Sequence, residues 1–427
     1  MVVNLYACGS NAQGQLANGS KEDYHSFERC ILPDSVELWD ISQLACGGNH
    51  TLLLAQIVDE SGNEPRLQLY GCGDGSVGQL GCPGDSPSLR FRRIDLQLGR
   101  HGLEKYQPRL ICASWQTTYV VLSCLEKPDR LISMGSDDFG DLGTGGLQQT
   151  SSATSEVPFH AVTFSHLAVN GVRLDDTGYF TVKAIAAGQH RIIVHLHARL
   201  IDGSYRHLTV GWGTCRHGEL GPVEELSPKG RRKSVTFFSA PKIIFVDDDI
   251  ASLALGNQHS VFRRVSGALT GIGSNKKNQL HDLDTIASAG VGCTWNGTYV
   301  IHGQDQEVYA TGNHAKGQLG RQLSSDSAQP HLDRVEFPFS SSRSYQLISM
   351  ACGSEHVLTL WKTPGDDGRE VWGWGWNEHG NLGVGSTQDV TLPVKIWPQE
   401  ANENSNSTRV LGVWAGCGTS WIAAECS

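Results

Sequence analysis

Two short phrases alternate along this chain, and their recurrence limits the possible folds more than any other feature. The first is an apolar run that ends in glycine, a polar turn, and then a small residue or asparagine before a polar residue and leucine. It reads YACGSNAQGQL from Tyr6, YGCGDGSVGQLG from Tyr70, ISMGSDDFGDLG from Ile132 and VGWGTCRHGELG from Val210. It returns as TGIGSNKKNQL from Thr270, YATGNHAKGQLG from Tyr309 and WGWGWNEHGNLG from Trp372. The second phrase reads LACGGNHTLLL from Leu44, ICASWQTTYVVL from Ile111, IAAGQHRIIV from Ile185 and LALGNQHSVF from Leu253. Its last copies are VGCTWNGTYVI from Val291, MACGSEHVLTL from Met350 and WAGCGTSWIA from Trp414.

The first repeat sets the strand count. Val2–Cys8 is a β-branched and aromatic run, hence a strand, and Gly9 to Asn11 turn the chain. A second strand is expected near Ser35–Leu38, a third at Ile41–Cys46, a tight turn at Gly47 to His50, and a fourth strand at Thr51–Ile57. Four strands repeated seven times predict an all-β fold, a seven-bladed β-propeller forming one domain over residues 1–427. In an antiparallel meander, strands one and three end at the same sheet edge. Both sets of glycine-rich turns should therefore crowd onto one face of the ring.

The repeats are unequal in length. The interval from Gly273 to Gly312 is the shortest, so the fifth repeat is expected to lose or shrink a strand. Residues 82–106, 146–170 and 222–239 are read as surface insertions, and 400–408 as a polar loop. The fifty glycines fall mostly at turns between Val/Ile/Leu runs, which separates this composition from a disordered one.

Net charge is −10, and no long basic tail is present. Lys229 to Lys233, the nearest basic cluster, reads as a solvated loop. An acidic chain of this kind is not expected to bind nucleic acid directly. Met1 leads straight into the first strand, so no secretory signal is expected, and no window approaches a membrane span. The twelve cysteines form no Cys-x-x-Cys pair and are read as reduced, in a cytoplasmic and nuclear protein.

Candidate chemistry is sparse. Gly71 to Gly75 looks like part of a nucleotide loop, but its recurrence makes it turn geometry. His50, His190, His259 and His356 are read as structural turn histidines in register, their place taken by Thr117, Gly297 or Ser420 in other repeats. His195 and His197 would share one strand face. No further ligand is evident, so no metal and no cofactor is expected. No catalytic set can be assembled, and no enzyme is expected. The partner-binding face is assigned to Trp115, Trp295, Asn296, Trp376, Glu378, His379 and Trp421, with Asp137, Asp138 and Asp141 adding negative charge. The competing role for each tryptophan is to cap the ring between blades.

These phrases resemble the regulator-of-chromosome-condensation repeat family. The residues that carry the resemblance are Gly9–Leu16 with Cys46–Thr51, and Gly312–Gly320 with Cys352–Val357. The resemblance implies a seven-bladed propeller and leaves function open. Within the family the chain is similar to a branch of bare propellers, the fungal α-tubulin suppressors. That similarity rests on CGGNHTLLL at Cys46, GCGDGSVGQL at Gly71, the turn at Trp115 and WGWGWNEHGNLG at Trp372. GCGTSWIA at Gly416 and the short repeat around Trp295 add to it. The chain departs from that branch in its longer insertions. The resemblance implies a heterodimer with a small CSL-type zinc protein, which would carry the metal. It further implies support for diphthamide formation on elongation factor two and for Elongator-dependent modification of wobble uridine in tRNA. A guanine-nucleotide exchange factor for a small nuclear GTPase is the alternative.

Overall fold

The computed structural model describes residues 2–425 apart from 35, 60–64, 83, 126, 147–157, 176–178, 223–224, 227–231, 234, 324–330, 340–344, 366–367 and 399–408. Among the described residues, strand pairing forms seven antiparallel meanders. Blade one comprises Val36–Cys46, His50–Asp59, Arg66–Gly75 and Asp85–Arg93. Blade two comprises Gln107–Ala113, Thr117–Cys124, Lys127–Gly135 and His160–Val162, and blade three Phe180–Ala187, Arg191–Arg199, Tyr205–Thr214 and Phe237–Val246. Blade four has Ile250–Leu255, His259–Arg264 and Leu269–Gly273, and blade five Ser288–Thr294, Gly297–His302, Val308–Gly312 and Asp333–Arg334. Blade six comprises Gln346–Cys352, His356–Lys362, Arg369–Gly375 and Val390–Trp397. Blade seven joins Val410–Ala415 and Thr419–Glu425 to Val3–Gly9 and Tyr24–Arg29. The first strand of each blade touches the first strand of the next, and the last touches that of blade one. The fold is a closed β-propeller.

The blades are offset from the expected repeat unit. Val3–Gly9 pairs along its length with Thr419–Glu425, and it meets Val36–Cys46 only at Val3 and Leu38. Its second neighbour is Tyr24–Arg29, and the two strands expected at 35–38 and 41–46 are one bulged strand. Pairing Val3–Gly9 with Thr419–Glu425 in one sheet closes the ring.

The expected insertions are corrected in the same way. Residues 82–106 hold the outer strand of blade one, and Phe91, Ile94, Leu96 and Tyr106 are buried. The end of 146–170 holds the outer strand of blade two and the buried Phe159, Phe164 and Leu167, while 147–157 lie outside the described residues. Phe237–Val246, at the end of 222–239, is the outer strand of blade three. Most of Lys229–Lys233 and all of 400–408 lie outside the described residues. The lost strand falls between Gly273 and Ser288, where the short 3-10 turn Leu283–Thr285 packs Leu283 into the core.

The repeated polar turn has a local mechanism. Asn11, Asp137, Asn275 and Asn377 accept the N–H of the leucine five residues on, at 2.8–2.9 Å. The residue before that leucine folds back: Gln79, Glu219, Gln279 and Gln318 accept the N–H two residues earlier. The glycine before the turn has positive φ, as at Gly73 (87°) and Gly135 (115°). A Cβ there would strike the carbonyl of Asn49 or Gln116.

The turn's own carbonyl locks neighbouring blades. Thr51 donates to Gln15 O at 2.9 Å, Thr118 to Gln79 O at 2.7 Å, Ser260 to Glu219 O at 2.9 Å and Thr298 to Gln279 O at 2.6 Å. Ser420 donates likewise to Asn381 O. Blades three and six carry Ile192 and Val357 in place of the hydroxyl. There an indole substitutes: Trp212 Nε1 donates to Asp141 O and Trp374 Nε1 to Gln318 O, both at 2.8 Å. Every blade interface thus has one buried donor reaching across to the same carbonyl. Replacing Thr298 with Val keeps shape but strands Gln279 O. Urea unfolding should show a loss of about 1–3 kcal/mol, against a near-zero effect for Thr285→Val on the surface.

Candidate protein-interaction face

The two sets of turns do share a face. The residue after each positive-φ glycine donates its N–H to the neighbouring turn, as in Asp74 to Asn49 O (2.8 Å), Asn313 to Asn296 O (2.9 Å) and Trp376 to Glu355 O (3.0 Å). Successive inner turns are also stitched round the axis. Gly48 donates to Trp115 O, Trp115 to Gln189 O, Asn257 to Trp295 O, Trp295 to Ser354 O and Ser354 to Gly416 O. These turns surround an axial cavity of about 170 Å³.

Cys46, Cys293, Cys352 and Cys417 line that cavity. Burial pushes the thiols of Cys46 and Cys293 up to about 12 and that of Cys417 to about 11, so they stay protonated.

At the mouth, Trp115 of blade two and Trp295 of blade five are half-buried, with ring centroids 6.4 Å apart. His190 lies 6.5 Å from Trp115 and 4.6 Å from Phe139. Asn296 Nδ2 donates to Glu355 Oε1 at 2.6 Å, and Gln318 Nε2 donates to Glu355 Oε2 at 2.9 Å. Burial pushes the Glu355 carboxyl up, and the two amides oppose that shift. Further out, Trp376 stacks edge-on against His379 at 5.3 Å and donates Nε1–H to Glu378 at 3.1 Å. His379 Nδ1 meets Asp23 at 2.6 Å.

Two assigned residues do not belong where the sequence placed them. Trp421 is fully buried in its strand, 6.2 Å from Phe91 in ring centroids and with Nε1 3.3 Å from Thr419 Oγ1. A strand position facing the core, one residue pair beyond the turn, cannot present an indole to a partner. Asp141 is also buried, with its carboxylate 3.6 Å from His190 Nδ1. Asp138 is exposed and Asp137 half-buried.

Charge divides this face, which spacing along the sequence did not reveal. The loops of blades six, seven, one and two carry Glu378, Glu22, Asp23, Asp74 and Asp138, with Lys21 among them. Those of blades three to five carry Arg216, Lys276, Lys277 and Lys316, the last 3.2 Å from Asp389. The two tryptophans at the mouth lie between these halves.

The family model for the regulator of chromosome condensation (RCC1) repeat matches residues 4–54, 305–360 and 368–422. These three segments of the chain are similar to that repeat. It is 26% identical over 405 residues to the ultraviolet-B receptor UVR8 of Arabidopsis thaliana, covering 91% of this chain and 76% of that protein. It is 26% identical over 453 residues to the secretion-regulating guanine nucleotide exchange factor of Mus musculus, covering 99% and 83%. Among solved structures, Prp20p of Saccharomyces cerevisiae, described with its binding to Gsp1p and histones, superposes with a TM-score of 0.65. That match has 15% identity and covers all of this chain and 92% of Prp20p.

The structure alters the register expected for the turn histidines at one position. In six blades the carbonyl that closes the inner turn belongs to His50, Thr117, Arg191, His259, His356 and Thr419, and in blade five Gly297 faces Thr294 at that place. His190 is therefore one residue out of register, and Thr419, not Ser420, holds the place in blade seven. His50, His259 and His356 are buried, and each Nε2 lies 3.0–3.1 Å from a hydroxyl of the next blade: Thr118, Thr298 and Ser420. Those hydroxyls already donate to turn carbonyls, so each accepts from Nε2–H, which leaves Nδ1 unprotonated. Gly47, Gly256 and Gly353 make room, since a Cβ would strike the ring.

Arg191 does the same work by another route. Its guanidinium donates to Gly256 O, Asn257 O and His259 O at 2.7–3.0 Å and lies 3.8 Å from the buried Glu219. Burial lowers its pKa to about 10, so it stays charged.

His195 and His197 share a strand face as expected, joined across the strand pair by His207. Ring centroids are 5.7 Å from His195 to His207 and 4.7 Å from His197 to His207. His195 Nδ1 lies 3.0 Å from Thr209 Oγ1.

Burial lowers His50 and His356 to about 4 and His259 to about 3. An unfolded histidine titrates near 6.5, so folding keeps these rings neutral. Their contribution is complete above that value and is lost as pH falls from 6.5 toward 4. The unfolding midpoint should hold steady from pH 8 to 7 and decline below 6.5. His356→Gln should lower the slope of stability against pH by about one proton in that window. An unchanged slope would assign the acid sensitivity to other groups.

Proposed function

We propose that this chain is a non-enzymatic propeller whose turn face receives a partner protein. The observation that supports this most is the pair of half-buried indoles, Trp115 and Trp295, at the mouth of the axial cavity. The blade-locking bonds are made by other groups, and both rings keep part of their surface open to solvent. Tryptophan at the centre of a charged, rigid surface is the usual composition of an interface hot spot. The names of the relatives agree with a protein-binding role: one is an exchange factor and another is described with Gsp1p and histones.

Following the similarity drawn from the sequence, the partner is a small CSL-type zinc protein, bound as a heterodimer and bringing the metal with it. In this reading the pair supports diphthamide synthesis on elongation factor two and Elongator-dependent tRNA modification, in cytoplasm and nucleus. The propeller itself uses no cofactor and touches neither nucleic acid nor membrane. The second reading is a guanine-nucleotide exchange factor for a small nuclear GTPase, favoured by the mouse relative's name.

Calorimetric titration with a recombinant CSL-type zinc protein should give a one-to-one complex. Trp376→Ala with His379→Ala should weaken it by about 1 kcal/mol or more at unchanged melting temperature. Absence of binding, with accelerated nucleotide release from a small GTPase, would replace the first reading with the second.

A further inference from the structure

Glu355 is an unusual carboxylate for an interaction face. It sits on the inner turn of blade six, one residue after the serine whose carbonyl accepts the Trp295 N–H. Both its oxygens accept side-chain amides, from Asn296 and Gln318. Among the described residues no lysine, arginine or histidine pairs with it, and it keeps some contact with solvent. Two amides hold the carboxylate in place but leave its charge uncompensated. A half-buried anion of this kind is completed by a cation. Trp295 is on the adjoining turn, and Trp115 is 6.4 Å from Trp295. The inner turns of blades five and six therefore set the Trp295 indole and the positioned Glu355 carboxylate on neighbouring, hydrogen-bonded residues, with Trp115 beside Trp295.

We propose that this is a receptor for a single arginine from an exposed loop of the partner protein. A guanidinium is flat, so it can lie against an indole while its N–H groups reach a carboxylate edge-on. Glu355 oxygens each carry one amide hydrogen bond and retain a lone pair for this purpose. An ammonium lacks the flat face, and a neutral group would leave Glu355 uncompensated. The inference deepens the partner-face reading and rests on it for the source of the arginine.

The probe is N-acetyl-arginine amide, added to the full chain labelled with nitrogen-15 and followed through the indole N–H signals. Two signals should shift, and Trp115→Phe and Trp295→Phe identify them. The citrulline analogue, equal in shape and neutral, should shift neither. Glu355→Gln should weaken arginine binding by about five-fold or more. Trp295→Leu, at a half-buried turn residue whose side chain makes none of the blade-locking bonds, leaves the amide pair intact, should do the same and covers the case in which Glu355→Gln misfolds. Equal response to arginine and citrulline, or undiminished binding in both variants, would overturn the proposal. Sedimentation of the free chain covers the other source: a salt-sensitive dimer lost in Trp295→Leu would assign the arginine to a second copy and contradict a heterologous partner. Arginine binding without capture of the zinc protein would keep the receptor and remove only that partner.

Discussion

The structure depends on one hydrogen bond made seven times. A carbonyl in each outer polar turn accepts a donor from the neighbouring blade, and that donor is a hydroxyl in five places and an indole in two. A propeller blade twists and tapers, so apolar packing between sheets specifies their separation poorly. A directional bond at each interface sets both height and angle. Because each site is buried, the cost of leaving it unmade exceeds the gain from making it. That asymmetry selects one arrangement of the ring.

Compensation between positions follows from this. Ile192 and Val357 remove the hydroxyl, and the chain answers with Trp212 and Trp374. Tyr119 and Tyr299 then donate to the same carbonyls, at 2.7 and 2.8 Å. Blades two and five, which carry those tyrosines, also carry Trp115 and Trp295. Arg191 with Glu219 is a further exchange, in which a charged pair takes a place held by imidazole in three other blades. With the ring locked below the surface, the exposed turns are free to vary, and their charges and aromatics diverge from blade to blade.

Much of this was legible in the residues. Seven copies of a turn that requires positive φ fix the number of blades, and strand alternation places both turn types on one face. The missing strand after Gly273 followed from chain length alone. The blade boundaries were not legible, because a repeat can be cut at any point and only the pairing of Val3–Gly9 with Thr419–Glu425 shows where the sheets divide. Trp421 was misplaced because a turn residue and the first inward strand residue look alike in sequence. His190 was misplaced for a related reason: it stands beside Arg191, and the familiar imidazole concealed the residue in the true position. Glu355 carries no signal in the sequence, since its significance lies in the amides of Asn296 and Gln318 that reach it from another blade. The outer strands of blades one to three read as insertions in the sequence because edge strands alternate less clearly than central ones.

The central claim is that the turn face, locked from beneath by the blade-to-blade bonds, is where this propeller meets its partner. Amide hydrogen exchange of the full chain, with and without the zinc-loaded CSL-type protein, tests it most directly. The account predicts slowed exchange at the turns around Trp115, Trp295, Glu355 and Trp376, with the opposite face unchanged. Protection confined to the opposite face, such as the connections near Asp202 and Asp305, would contradict it.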